Sequence, residues 1–318
     1  MKLLVMIPAL NEQHSVGDVI KAIPRHLDGI SSVEVLLLDD GSTDATAEVA
    51  RQAGCEHIIS FRKSRGLARA FKTGLDEALR LGADIIVNID ADNQYDPREM
   101  PRLIQPILHR KADIVLGSRF AGTIETMPLR KRLGNRIATM VTRFLCNLPI
   151  SDAQTGYRAF SREAAMRLNI LSFYTYTQET IVQAVYKKLH IVEVPVTFRR
   201  RAAGESRLVL NIFGYAGNTA VTLIRTFMSH QALKVLSLSG GFLMLAGLAL
   251  GIRVLIHFFS SGAVGPYIPS AIASGFLIVF GFQLTLLGLV ADMVRNNREL
   301  LEDTLYQMRR ETGTKEHS

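Results

Sequence analysis

The sequence predicts an α/β fold, a mostly parallel sheet flanked by helices, followed by an interfacial helix and a two-helix transmembrane hairpin. Two observations carry this. Three short apolar runs end in acidic clusters and alternate with helical patterns, the arrangement that builds βαβ units. Past residue 231 the composition changes sharply, and two uncharged stretches of 18 and 24 residues appear, each long enough to cross a bilayer.

The first run, Lys2 to Ile7, ends in Pro8-Ala9-Leu10-Asn11-Glu12 and leads into a helical pattern from Ser15 to Leu27. Val33 to Leu38 is the second, ending in Asp39-Asp40-Gly41-Ser42-Thr43-Asp44 before a helical pattern from Thr43 to Ala53. Gly41 permits a tight turn, and Ser42 or Thr43 is placed to cap the helix. The third, Asp84 to Ile89, delivers Asp90-Ala91-Asp92 with Gln94 just beyond. Ligands bind an open α/β sheet at the carboxyl ends of its strands, so Asn11/Glu12, Asp39/Asp40 and Asp90/Asp92 are expected on one edge.

Capping accounts for the serine and threonine but not for the doubled aspartates. Two carboxylates two residues apart repel unless a cation lies between them. Asp90, Asp92 and Gln94 offer only hard oxygen ligands, which suit Mg²⁺ or Mn²⁺ carrying substrate phosphates. Alone, an Asp-x-Asp is better explained as a solvated acidic turn; the two other clusters on the same edge argue otherwise. Asp39 or Asp40 could accept hydrogen bonds from a base or ribose. There is no P-loop, and no G-x-G-x-x-G follows the first strand, which disfavours an ATPase or a dehydrogenase.

Pro8 to Glu12, Asp39 to Asp44 and Asp90 to Gln94 resemble the motifs of family 2 glycosyltransferases of the GT-A nucleotide-sugar-binding fold. Gly117-Ser118-Arg119-Phe120, Asp152 to Arg158, Gln178-Glu179 and Arg201 to Arg207 narrow the resemblance to the polyprenyl-phosphate (dolichyl-phosphate) glycosyltransferases, those like dolichyl-phosphate mannose synthase. It covers about the first 210 residues in order. It implies a nucleotide-sugar donor (a UDP- or GDP-sugar), a divalent metal and a polyprenyl or dolichyl phosphate acceptor. Arg207 stands where many relatives carry lysine, a change that keeps the charge. Processive polysaccharide synthases of this fold carry a Q-x-x-R-W motif, and this chain has no tryptophan.

On this reading Pro8, Asn11, Glu12, Asp39, Asp40, Asp90, Ala91, Arg119, Gln178 and Glu179 hold the nucleotide-sugar. Asp90, Asp92 and Gln94 hold the metal, whose charge assists departure of the nucleoside diphosphate. Arg119, Arg130, Arg201 and Arg207, with Ser206, are the candidates for the acceptor phosphate, because the planar guanidinium fork pairs phosphate oxygens bidentately. Asp92, Asp152 and Arg201 form the candidate catalytic set. A phosphate monoester is mostly dianionic at neutral pH and needs no base, so Asp152 is expected to orient the sugar or fix Arg158. A hydroxyl acceptor would instead require Asp152 as base, and that alternative stays open. A catalytically dead membrane scaffold is the remaining reading, and the intact Asp90-Ala91-Asp92 argues against it.

The domain plan expected is a cytoplasmic catalytic domain over 1–207, an interfacial amphipathic region over 208–231, two transmembrane helices within 232–294 (about 233–257 and 268–292) and a cytoplasmic tail over 295–318. Ile212, Tyr215, Ala216, Ala220, Leu223, Ile224 and Phe227 recur at helical spacing, a stripe that suits a helix in the membrane interface or one packed on the catalytic domain, and Arg207 and Arg225 on its polar side favour the interface. Lys234 and the basic residues from Arg295 onward flank the spans, while Ser260 to Tyr267 carries no lysine or arginine; the positive-inside rule then puts both termini in the cytoplasm. Gly247 and Gly251, and the pair Ala271/Gly275, allow close packing of the hairpin or of neighbouring subunits, leaving a homo-oligomer open. The net charge of +8 suits an anionic bilayer or phosphate ligands; no zinc-knuckle or RNA-recognition signature supports a nucleic-acid partner. Cys55 and Cys146, far apart, are expected to be buried reduced thiols. The N-terminus runs directly into a core strand, so no signal peptide is expected. From Arg295 onward the expectation is a short solvated helix and a frayed end.

Overall fold

A computed structural model describes residues 1–170, 176–200 and 212–315. The strands are β1 (Lys2–Ala9), β2 (Ser32–Asp39), β3 (His57–Ser60), β4 (Ile85–Asn88), β5 (Ile114–Ile124), β6 (Arg158–Ser161) and β7 (Ile191–Phe198). They form one seven-stranded sheet in the order β3-β2-β1-β4-β6-β5-β7. All neighbours are parallel except β6, which runs against both β4 and β5. The GT-A arrangement expected from the motifs is the one observed.

Along β1, Leu4 and Met6 enter one apolar cluster while Leu3, Val5 and Ile7 enter another, and β2 divides Leu36 and Leu38 from Val35 and Leu37 in the same way. Strand side chains alternate between faces, and a sheet covered on both sides needs apolar residues at every position. That is why these runs read as unbroken hydrophobic stretches. Helix α3 (Leu67–Arg80) covers the first face with Phe71 and Leu75, and α4 (Met100–Leu108) covers the second with Leu103 and Ile104.

Helices α1 (Val16–Ala22) and α2 (Thr46–Gln52) are shorter than the sequence pattern suggests. Ile23 turns extended ahead of Pro24, as a residue before proline prefers. Neither Ser42 nor Thr43 caps α2. Ser42 instead donates its backbone N–H to Asp39 Oδ1 (2.8 Å), Thr43 donates to Asn11 Oδ1 (2.7 Å), and Asp44 Oδ1 accepts from the Thr46 N–H (3.0 Å). The motif is spent on tying the loops after β1 and β2 together. Gly41 (φ +80°) sits where a Cβ would meet the Lys63 and Ser64 backbone at 2.8 Å, so glycine is required there.

The remaining helices of the catalytic part are α5 (Leu129–Cys146), α6 (Arg162–Arg167) and α7 (Thr177–Tyr186). Cys55 and Cys146 are buried free thiols. Two long helices follow, α8 (Ile212–Ser261), which breaks at Gln231 (φ −128°, ψ 18°), and α9 (Ile268–Lys315).

The chain divides into two compact units, residues 1–224 with 304–318, and Arg225–Asp303. In the second unit both helices are long and apolar enough to span a membrane. Their apolar side chains face outward, with Phe242 72% and Phe276 66% exposed, unlike those of soluble core helices. The two pack closely: a Cβ at Gly240 would lie 2.5 Å from the Gly281 carbonyl oxygen, and Ser274 Oγ donates to the Gly247 carbonyl (2.7 Å). Gly251 also meets Ser274, whereas Gly275 faces open space, so the second helix contributes Ser274 and Gly281 in place of the expected Ala271/Gly275 pair.

Helix α9 runs through the segment expected as a short solvated helix, and its Tyr306 and Arg309 there are part-buried. Within the first unit, Tyr306 donates to Glu163 (3.1 Å) under the Arg167 guanidinium, and Arg309 donates to the Met166 carbonyl (2.8 Å) and to Asp76 (2.7 Å).

Candidate active site

Because β2, β1 and β4 run parallel side by side, their carboxyl ends deliver three loops to one edge. These loops floor a cavity of about 380 Å³ with Pro8, Ala9, Glu12, Asp40, Asp90, Ala91, Asp92 and Gln94. Asn11 and Asn93 take left-handed backbone angles (φ 54° and 59°), a conformation asparagine adopts more readily than most residues. Asn11 does not line the cavity; its side chain accepts from Thr43 and its N–H donates to Ser42 Oγ (2.9 Å). Asp39 is likewise turned to Ser42. Asp40 reaches the cavity, but its carboxylate already accepts from Ser64 Oγ (2.6 Å), Arg65 N (2.7 Å) and Gly66 N (3.0 Å).

Asp90 is different. No hydrogen bond from a described residue reaches its carboxylate, and a Cβ at Gly156 would come within 2.6 Å of both its oxygens. The antiparallel register that pairs Asn88 with Arg158 brings that glycine alongside. Desolvation, reinforced by the negative charge of Asp92, holds the Asp90 carboxyl well above the usual carboxylate range. Asp92 Oδ1 accepts from the Gln94 N–H (3.1 Å), and Gln94 Nε2 donates to the Arg199 carbonyl (3.3 Å). A carboxylate without a hydrogen-bond donor among the described residues, beside a second one and an amide, is an oxygen-only donor set that fits a divalent cation.

The opposite wall is basic. Arg119, 4% exposed, aligns on Asp152, 0% exposed, through Nε to Oδ2 (2.7 Å) and Nη2 to Oδ1 (2.8 Å), with its own N–H on Oδ2 as well (3.1 Å). Burial opposes the Arg119 charge, and Tyr95, Asp152 and Asp90 together more than offset this, leaving its pKa raised. Glu193 on β7 fixes the loop by accepting from Ser151 N (2.7 Å) and Asp152 N (2.9 Å). Asp152 therefore lies behind Arg119 and outside the cavity lining, and it does not hold Arg158. That guanidinium is fully buried and, among the described residues, donates to neutral oxygens: the carbonyls of Ala153, Thr155 and Thr177 and Thr180 Oγ1.

Several expected residues fall elsewhere. Gln178 and Glu179 are buried in α7 and do not line the cavity; Glu179 accepts from Gln183 Nε2 (3.2 Å). Arg130 is exposed, and its neighbour Lys131 reaches the cavity with Asn135. Arg119 and Lys131 converge on the Phe198 ring, at 5.2 and 5.7 Å from its centroid. Arg201, Ser206 and Arg207 lie outside the described residues. Ser64, Gly66, Tyr95, Gln154, Tyr176, Thr177 and Phe198 are among the further lining residues. Gln154 belongs to the Asp152 to Arg158 motif and Tyr95 directly follows Gln94; the others were not singled out in sequence, because each arrives from a part of the chain distant from the acidic loops.

The model of glycosyl transferase family 2 matches residues 4–168, more than half of the chain. The chain belongs to that family. It is 31% identical over 220 residues to a polyprenol monophosphomannose synthase of Mycolicibacterium smegmatis, a match covering 64% of this chain and 80% of that protein. A low-salt glycan biosynthesis hexosyltransferase of Haloferax volcanii is 31% identical over 294 residues, covering 90% of this chain and 67% of its own length. Among solved structures, glucosyl-3-phosphoglycerate synthase from Mycobacterium tuberculosis, in complex with Mn²⁺, UDP-glucose and phosphoglyceric acid, superposes with a TM-score of 0.57 at 23% identity, covering 71% of this chain and 79% of that one. This last likeness concerns the fold.

Proposed function

We propose that the chain moves one hexose-type sugar from a nucleotide-sugar to a polyprenyl or dolichyl phosphate at the cytoplasmic membrane face, by direct displacement with inversion. The observation that carries this reading is the polarity of the cavity, with Asp90 and Asp92 in the floor and Arg119 and Lys131 on the wall. The floor suits a nucleoside diphosphate sharing a cation. The wall suits a second anion.

Asp90, Asp92 and Gln94 would hold the divalent ion, Mg²⁺ or Mn²⁺, whose charge neutralises the departing diphosphate. Arg119 presents a guanidinium whose orientation Asp152 fixes from behind, so it meets an acceptor phosphate already aligned. Lys131 adds a mobile point charge beside it. Asp152, paired along both its oxygens and shut from the cavity, is badly placed to take a proton. That favours an acceptor needing no base, as a phosphate dianion is, over a hydroxyl acceptor.

Two helices long and apolar enough to span a membrane, with Lys234 and the basic residues from Arg295 onward outside them and no lysine or arginine from Ser260 to Tyr267, support two crossings with both flanks on the cytoplasmic side.

The test is a donor screen with the purified full-length protein, Mg²⁺ or Mn²⁺ and a short polyprenyl phosphate, identifying the lipid product by mass. The expected product is a single-sugar polyprenyl phosphate, lost with a chelator and restored by either ion. Comparable transfer to free polyprenol would overturn the phosphate-acceptor reading.

A further inference from the structure

The apolar hairpin carries a single fixed charge. Between Lys234 and Asp292 the only lysine, arginine, aspartate or glutamate is Arg253. The stretch of α8 from Lys234 to Arg253 is continuous helix and about 28 Å long, close to the thickness of a bilayer's hydrocarbon core. Polar and aromatic groups gather around the guanidinium. The ring of Tyr267, in the turn Gly265–Tyr267 that leads into α9, lies 5.2 Å from the guanidinium carbon and 4.4 Å from the His257 ring. Ser261 Oγ lies 3.2 Å from His257 Nε2. Arg253, His257 and Ser261 follow one another at intervals of four, so they share one face of α8.

We infer that this cluster, at the closed end of the hairpin, is a binding site for the phosphate of a lipid in the leaflet opposite Lys234. The inference rests on the proposed two crossings. A guanidinium at the edge of hydrocarbon needs a counter-charge, and no carboxylate between Lys234 and Asp292 provides one. A second copy of the chain would bring the same cation and no acid. A lipid phosphate is the anion that a bilayer presents at that depth, and its oxygens match the guanidinium fork. The Tyr267 ring holds Arg253 by cation–π attraction and consumes none of its N–H donors; no acceptor among the described residues engages them. The fork is therefore oriented and ready to pair. A cation on the translocated side also works against the charge bias that orients the hairpin, and a bound lipid phosphate offsets that opposition. Phospholipids and polyprenyl phosphates present the same group, and the experiment separates them.

The chain has no tryptophan, so Ile256→Trp, at a position 65% exposed and one turn beyond Arg253, makes a single reporter. Phe242→Trp, nearer Lys234 on the same helix, is its control. The full chain is placed in phosphatidylcholine vesicles containing phosphatidylglycerol, with one lipid or the other brominated on its acyl chains to quench tryptophan. At equal mole fraction, phosphatidylglycerol should be preferred over phosphatidylcholine about fivefold at the Ile256→Trp position. Adding Arg253→Gln should abolish that preference and leave the Phe242→Trp control unchanged. Quenching by both lipids without preference would overturn the site and keep the membrane hairpin; no quenching at either position would overturn both. If Arg253→Gln combined with Ser260→Arg restores the full preference, any cation at that end suffices, and the cluster is not a site. Unlabelled short polyprenyl phosphate then competes with brominated phosphatidylglycerol. Relief of quenching in line with its mole fraction assigns the site to phospholipid, and relief at a much lower fraction assigns it to the polyprenyl carrier. No relief at all would show that the phosphate is not what is recognised and would overturn the inference.

Discussion

Two halves of one sheet face each other across the cavity, and they handle charge in opposite ways. On the parallel half, β2, β1 and β4 bring Asp90 to the floor with no described donor for its carboxylate and Asp92 beside it. On the half built around antiparallel β6, Arg119 arrives already neutralised by Asp152, which Glu193 holds in turn through the loop backbone. The floor is electrostatically incomplete in the protein alone; the wall is complete. Removing a charge from the floor should therefore damage function without damaging the fold, and removing one from behind the wall should damage both.

Asp92→Asn is the sharpest test of the floor. It deletes charge and keeps volume, so kcat should fall by about a hundredfold or more, while the melting temperature measured in chelator stays level or rises as the repulsion with Asp90 is relieved. A parallel loss of stability would mean that the floor is structural and the contrast false.

Asp152→Asn probes the wall. Leaving the buried Arg119 guanidinium without its carboxylate should cost about 3–5 kcal/mol of stability, read by denaturant unfolding, and activity should fall with it. With a phosphate acceptor, the rate of the wild-type protein decreases as pH drops through roughly 6, because the acceptor gains a proton and its dianion is lost. The variant should keep that acid limb, since the limb belongs to the substrate. A residual rate that is flat with pH would give Asp152 the role of base.

Smaller effects separate neighbours on α5. Lys131→Ala should raise KM for the acceptor by about tenfold, while Arg130→Ala, assayed with a short acceptor in detergent, should stay within about twofold. Smallest of all, iodoacetamide at pH 8 should leave Cys55 and Cys146 unmodified in the folded protein. Desolvation pushes both thiols up to about 11, and the thiol form, not the reactive thiolate, then predominates. Rapid alkylation would show that their surroundings are open.

The two halves also differ in how much of them the sequence discloses. The floor is legible because each of its loops follows a strand directly, so Asp40, Asp90 and Asp92 are placed by local pattern alone. The wall depends on pairings across distance. Arg119 and Asp152 are 33 positions apart, and nothing local links Arg119 to Asp152 in preference to Arg158. On α5, which of Arg130, Lys131 and Arg132 faces the cavity depends on helix phase, and one position separates Lys131 inside from Arg130 outside. A helical period also reveals two faces without saying which is covered: on α5 Asn135, Thr139 and Thr142 are buried while Leu133, Met140 and Phe144 are exposed.

The chain composition of the catalytic unit bears on how the protein is made. Tyr306 and Arg309 hold the last helical turns against Glu163, Met166 and Asp76, so the unit is closed by residues that leave the ribosome after the entire apolar hairpin. A chain that ends before Tyr306 lacks these contacts to Glu163, Met166 and Asp76.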